Sequence, residues 1–300
     1  MFAMEKYIIS TDTTCDLPLD YCQSNDIDIH SLYYKINVDS QGTVSDGETV
    51  YGGDKQLEPK VFYSAMRGGS MPTTMASNPE ESKEFFRKRV RDGYDVIHIA
   101  FSSGLSSSCQ NTSIAASEIM EEFPGSRITV IDSLAASMGE GLLVYKAVEF
   151  MKQGHTYDET VSYVESVKLN ISHQFTVDDL FHLHRGGRVS KTTAIIGTIV
   201  GIKPLLHVDD EGHLISIGKT RGRRKSLSAL VDKMISTMGS HDNRTVMISH
   251  GDSLEDAEYV ASLIREKTDV KDIIINYICP TIGAHSGPGT IALFFEADKR

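Results

Sequence analysis

The sequence predicts an α/β protein of two α/β domains, residues 1–165 and 166–300, with a cleft between them. Three observations lead to that expectation. Three hundred residues at 40% hydrophobic content supply a real core, and more chain than one core usually organises. The first half alternates strand-like and helix-like stretches, the order that builds an α/β layer. After about residue 165 the pattern changes to strands joined by a hairpin, then two helices and two closing strands, which reads as a second sheet. No internal repeat or low-complexity linker separates the halves, so the two layers are expected to pack together.

The elements follow in order. "KYIIST" is a strand running into the turn "DTTCD". The loop holding Thr73 and Thr74 leads to Asn78, Pro79 and Glu81, a helix start with an asparagine cap and proline at the first helical position. Phe86 and Val90 then share a helix face, and the start itself offers backbone N–H groups to an anion. "YDVIHIAF" is a strand that enters "SSGLSSS" before the helical "CQNTSIAASEIMEEF". "RITVID" precedes "SLAASMGEGLLVYKAVEFMKQG", where Gly154 ends the helix, and Thr156 with Glu159 has the spacing of a capping box. "SHQFTV", "KPLLHV" and "LISIGK" are strands, with "DDEGH" as a hairpin turn. Helices over about 223–238 and 253–267 flank "RTVMISH", and "VKDIIINYI" and "GTIALFF" close the second sheet.

Composition narrows the function classes. A net charge of −11 opposes general binding to nucleic acid or anionic membrane, although "HRGGR" and "TRGRRK" stand out as basic clusters, read either as solvated loops or as functional sites. Cys15, Cys22, Cys109 and Cys279 are scattered and form no C-x-x-C pair, which suits a reducing cytoplasm. The amino end has no long apolar run, and "AIIGTIVGIKPLL" is cut by Thr198, Lys203 and Pro204, so neither a signal peptide nor a membrane span is expected. No G-x-S-x-G elbow, phosphate loop or dinucleotide fingerprint occurs. His182 and His184 have the spacing of two strand-borne metal ligands, but no carboxylate or cysteine pattern completes a site, and the plainer reading is a polar pair near a helix end.

What remains is a set of neutral donors at loop ends: Thr73 and Thr74, Ser102 and Ser103, and His285 in "TIGAHSGPGTIALFF". Hydroxyls and a ring N–H can hold a carboxylate with the site nearly neutral, and without the cost of desolvating an arginine. His285 sits between glycines at the mouth of a strand expected to be buried on both faces, either as a packed residue beside a tight turn or as a ligand contact.

The stretches "STDTTCDL", "PTTMASNPEE", "FSSGLSSSCQNT", "DLFHLHRGGRVSKTTAIIGTIVGIKPLLHVDDEGHL", "TRGRRK" and "GAHSGPGTIALFF" resemble, in the same order, the motifs of the DegV family. The resemblance runs nearly end to end. It implies a non-catalytic carrier enclosing one long-chain fatty acid between two α/β domains, with no further cofactor and no metal. It further implies a separate ATP-using kinase subunit that phosphorylates the presented carboxylate, so that acyl phosphate enters phospholipid synthesis. By position, the family's carboxylate contacts fall on Thr74, on Ser102 or Ser103, and on His285. Met75 and Ala76 depart from the usual Ser-Gln after that threonine, which puts part of the loop's hydrogen bonding in question. Ile195, Ile196 and Ile199 are either tunnel lining or plain core. Arg185, Arg188 and Arg221 are expected on a cationic rim that meets the kinase or its ATP phosphates, with little part in holding the lipid. Contact with a membrane would be at most peripheral. The rival is a dihydroxyacetone-kinase-like enzyme acting on a small carbonyl compound, with His285 as nucleophile or covalent anchor.

Overall fold

A computed structural model describes residues 6–38, 47–190 and 201–300 of the chain. Strand β1 (Tyr7–Asp12) starts a parallel sheet that β2 (Asp28–His30) joins through the short helix α1 (Leu19–Ser24). The chain then makes an excursion the sequence reading did not contain. Strands β3 (Tyr34–Ile36), β4 (Thr49–Tyr51) and β5 (Thr73–Thr74) form a small antiparallel sheet in the order β4-β3-β5, covered by helix α2 (Pro59–Arg67). Such two- and three-residue strands are too short to show a period of two, so only the pairing reveals them. Thr74 therefore lies on a strand, opposite Tyr34, and the helix dipole of α3 (Pro79–Arg91) begins five residues beyond it. Asn78 caps that helix as expected, its side chain accepting from Glu80 N at 2.9 Å.

Strand β6 (Asp95–Ala100), helix α4 (Ser108–Glu122) and strand β7 (Ile128–Asp132) complete the first sheet in the order β2-β1-β6-β7. Helix α5 (Met138–Lys152) and helix α6 (Tyr157–Val167), the latter with its Thr156–Glu159 capping box formed, lead to the second sheet. That sheet is mixed and six-stranded. It begins with β8 (Ile171–Thr176) and, after the short helix α7 (Phe181–Arg185), the hairpin of β9 (Ile202–Val208) and β10 (Leu214–Arg221). Helix α8 (Arg223–Thr237), strand β11 (Thr245–His250), helix α9 (Leu254–Lys267), strand β12 (Asp272–Tyr277), helix α10 (Pro280–Ser286) and strand β13 (Ile291–Glu296) follow, giving the order β10-β9-β8-β13-β11-β12. Every residue of β13 is buried, as its unbroken apolar run predicts for a strand covered on both faces.

Helix α5 is the layer shared by the two sheets. Met138, Leu142, Leu143, Val144, Ala147 and Val148 are buried around its whole circumference, and they belong to one core that also includes Ile9 and Ile97 of the first sheet and Met247 and Phe294 of the second. A helix apolar on all sides needs a partner on all sides. Its "MGEGLL" start makes the fit possible: a Cβ at Gly139 would overlap the His173 ring on β8, and one at Gly141 would overlap the carbonyl of Cys15 beyond β1. Between these glycines Glu140 is fully buried, and burial together with the nearby Asp12 charge pushes its carboxyl well above the usual range. Thr11 Oγ1 lies 2.8 Å from Glu140 Oε1 and 2.9 Å from Ile99 O. Thr14 Oγ1 donates to the other carboxyl oxygen, Glu140 Oε2, at 3.0 Å, so hydroxyls at and just past the end of β1 hold both oxygens.

This arrangement gives a prediction with an informative sign. Alanine in place of a helical glycine gains about 1 kcal/mol of helix propensity where space allows. Gly141→Ala is expected instead to destabilise by about 1–3 kcal/mol, because the new methyl must force α5 away from the Cys15 carbonyl. Urea denaturation measures the difference, and a more stable variant would refute the two-sided fit.

Candidate functional site

A cleft with about 1000 Å³ of unfilled space, counting its open mouth, lies between the two layers at the amino end of α5. Leu32 and Phe101 from the first half face Phe175, Val208, Leu214 and Phe294 from the second, so most of the wall is apolar. Thr74, Arg188, His285 and Ser286 gather on one part of that wall.

His285 reaches the cleft from α10, an element that the sequence reading took for a glycine turn. Pro280 starts this helix with its φ already helical, and Gly287, at φ 79°, ends it. His285 Nε2 stands 2.8 Å from Thr74 Oγ1, so the helix of one layer and strand β5 of the other meet at this hydrogen bond. Its Nδ1 has no partner among the described residues and lies against Gly186, where any side chain would overlap the ring. Burial, then the charges of Arg188 and Arg185, push the imidazole pKa down to about 4. His285 is thus neutral at physiological pH.

Arg188 does not occupy an outer rim. Arg188 lines the cavity, half-buried, with Nε donating to Leu105 O at 3.2 Å and Nη1 donating to Gly186 O. Both partners are carbonyls, and among the described residues no carboxylate pairs with it. Burial pushes its pKa down. The sequence hid this placement, because a Gly-Gly turn leaves the direction of the next side chain open. Arg185 acts one step behind: Nη2 donates to Pro72 O at 2.9 Å and to Ala284 O at 3.0 Å, tying the chain before Thr74 to the chain before His285. Arg221 is exposed at the end of β10 and does not line the cleft. In the same basic cluster, Arg223 pairs with Asp256 at 2.8 Å and donates to Gly289 O at 2.6 Å, bracing the Gly-Pro-Gly loop.

Ser102 and Ser103 are not brought to the cavity. Ser102 is fully buried, its Oγ donating to Gly212 O at 3.0 Å and accepting from Gly104 N at 3.1 Å, so it joins the first layer to the β9–β10 hairpin. Ser103 is exposed, and its backbone N–H donates to Asp132 Oδ1 at 3.1 Å. Instead Leu105, Ser106 and Ser107 face the cleft. The loop coils tightly here, with the N–H groups of Leu105 and Ser106 both donating to Ser102 O, and this one turn decides which serines emerge. Met75 and Ala76, the departures from the motif, also line the cleft. His182 and His184 lie on α7, where two residues apart means nearly opposite directions, and among the described residues no three His, Cys, Asp or Glu side chains form a metal cluster. Ile195, Ile196 and Ile199 fall outside the described residues.

A buried carboxylate secures the base of the site. Asp16 Oδ1 accepts from Cys279 N at 2.9 Å, immediately before α10, while Oδ2 accepts from Ser137 Oγ, immediately before α5. Desolvation raises the Asp16 pKa to about 7.

Comparison with known proteins places the chain in a family. The model whose description reads "Uncharacterised protein, DegV family" matches residues 6–298. The chain belongs to the DegV family. A DegV domain-containing protein of Clostridium perfringens is 41% identical over 297 residues, 99% of each chain. A DegV lipid-binding protein of Thermotoga maritima superposes with a TM-score of 0.83 at 27% identity, covering 98% of this chain and 99% of that one. A second Thermotoga maritima structure, described as revealing a fatty acid binding function, gives a TM-score of 0.80 at 26% identity over 98% and 99% of the two chains. Both α/β domains of the DegV fold are thus present. Among the described residues no helix is long and apolar enough to cross a membrane.

The depressed pKa of His285 makes stability depend on pH in a defined direction. As pH falls from about 6.5 toward 4, the unfolded chain takes up a proton at this histidine before the folded protein does, so stability is lost across that window. His285→Asn is expected to flatten part of that loss, read as urea midpoints between pH 4 and 7. Parallel midpoint curves for the two proteins would show that His285 is not held neutral by the fold.

Proposed function

We propose that this DegV family member is a non-catalytic fatty-acid carrier, with the acyl chain along the apolar cleft and the carboxylate at Arg188, Thr74 and His285. One observation carries the reading: Arg188, which no carboxylate pairs with among the described residues, brings a charge to a largely apolar cavity, beside a threonine and a neutral histidine. A half-buried cation is costly unless paired, and a fatty acid carboxylate supplies the counter-charge in a geometry a guanidinium favours. Each buried methylene adds about 0.8 kcal/mol before ordering costs, so the tail dominates affinity and the head group sets orientation. The related Thermotoga maritima proteins, described as lipid binding and fatty acid binding, support the same ligand class. The extended apolar wall favours an acyl chain over the small carbonyl compound of a dihydroxyacetone-kinase-like enzyme.

The finer role is presentation of the bound acid to a separate ATP-using kinase in the cytoplasm, with the acyl phosphate passing to phospholipid synthesis. Exposed Arg221, at a strand end away from the lining, is the better candidate of the predicted arginines for meeting that partner. Neither nucleic acid nor a resident cofactor enters this reading.

Native mass spectrometry beside a solvent extract tests it directly. About one long-chain fatty acid per chain is expected. Arg188→Ala should weaken palmitate binding by about 1.5–3 kcal/mol, the range for a hydrogen bond to a charged group, while Arg221→Ala should leave it unchanged. A protein that purifies empty and takes up no offered fatty acid ends the carrier reading.

A further inference from the structure

Ser286 follows His285 on α10 and lines the same cavity. It is 6% exposed, yet its Oγ has no hydrogen-bond partner among the described residues. Other hydroxyls on the helices of this protein return their proton to a carbonyl one turn back: Ser113 to Cys109 O at 2.7 Å, Ser117 to Ser113 O at 3.1 Å and Thr237 to Lys233 O at 2.8 Å. Ser286 forgoes that bond. The nearby Thr290 hydroxyl is turned to the backbone, 2.9 Å from both Ser286 O and Gly287 O. A buried hydroxyl left unpaired beside a cavity is a donor held ready for whatever fills the cavity.

We propose that Ser286 Oγ donates to the ligand carboxylate and helps this site prefer a free acid over an ester. The inference rests on the fatty-acid-binding reading. A carboxylate offers about four acceptor positions on two oxygens. Thr74 Oγ1 and His285 Nε2 are bonded to each other at 2.8 Å, so the pair offers at most one proton to one carboxylate oxygen. Ser286, the next residue of the helix, projects about a quarter-turn away and is available to the second oxygen. Its bond to an ionised carboxylate is stronger than any it makes to the neutral carbonyl of an ester.

Exchange of radiolabelled palmitic acid and methyl palmitate on wild type and Ser286→Ala separates the outcomes. For the acid, Ser286→Ala should bind about tenfold more weakly, with little change for the ester. The melting temperature of the variant without added lipid should be equal or higher, since an unpaired buried hydroxyl has been removed. Ser286→Cys, similar in shape with a weaker donor, should fall between the two. Unchanged acid affinity would remove Ser286 from the head-group site while leaving the carrier reading intact. Equal losses for acid and ester with a lowered melting temperature would assign the residue to packing. If wild type binds neither lipid, both this inference and the carrier reading fail.

Discussion

The site depends on helix α5 lying between two sheets at glycine-close range. Gly139 admits the His173 ring from one sheet, and Gly141 admits the Cys15 carbonyl from the other side. Because both contacts are near the amino end of α5, the sheets are held together there, and the cleft opens beside Ala136 and Ser137 just before the helix. Asp16 extends the same constraint to α10 through Ser137 and Cys279. The position of His285 is therefore referred back to the central helix by hydrogen bonds as well as by packing.

Electrostatics at the polar end follow from that rigidity. Two arginines near His285 do different things: Arg188 lines the cavity, and Arg185 directs Nη2 to the carbonyls of Pro72 and Ala284. Their charges add to burial in keeping His285 neutral, so the imidazole is held in its bond with Thr74 and the charge at this end of the cleft is the guanidinium's. A protonated histidine beside Arg188 would place like charges together in a poorly solvated space. Behind the site, Arg223 fixes the loop after α10 from the far side, through Gly289 O. Preorganised donors of this kind spare a ligand the cost of ordering them.

Much of the fold was legible in the chain. The capping residues Asn78 and Thr156, the helix-ending Gly154, the hairpin at "DDEGH" and the buried run of β13 are local signals, and each formed as read. The small sheet of β3, β4 and β5 was not legible, since its strands are too short to carry a period and exist only through their partners. Helix α10 was masked by its glycines, which locally favour a turn until Pro280 and the Asp16 contact commit the chain to helix.

The sequence by itself determined the two α/β layers and the family motifs, and it offered Thr74, Ser102 or Ser103 and His285 as carboxylate contacts with Arg188 only on a partner-facing rim, because periodicity, caps and motif chemistry are properties of neighbouring residues. Only the tertiary structure decided that Arg188 faces the cavity, that Arg185 is a strut, that Ser102 joins the layers while Ser106 and Ser107 reach the cleft, and that Ser286 lies buried without a partner. The reason is directional. A residue's type limits which bonds it can make, but whether its side chain meets a cavity, a carbonyl or solvent depends on segments distant in sequence, such as those joined by the Thr74–His285 contact.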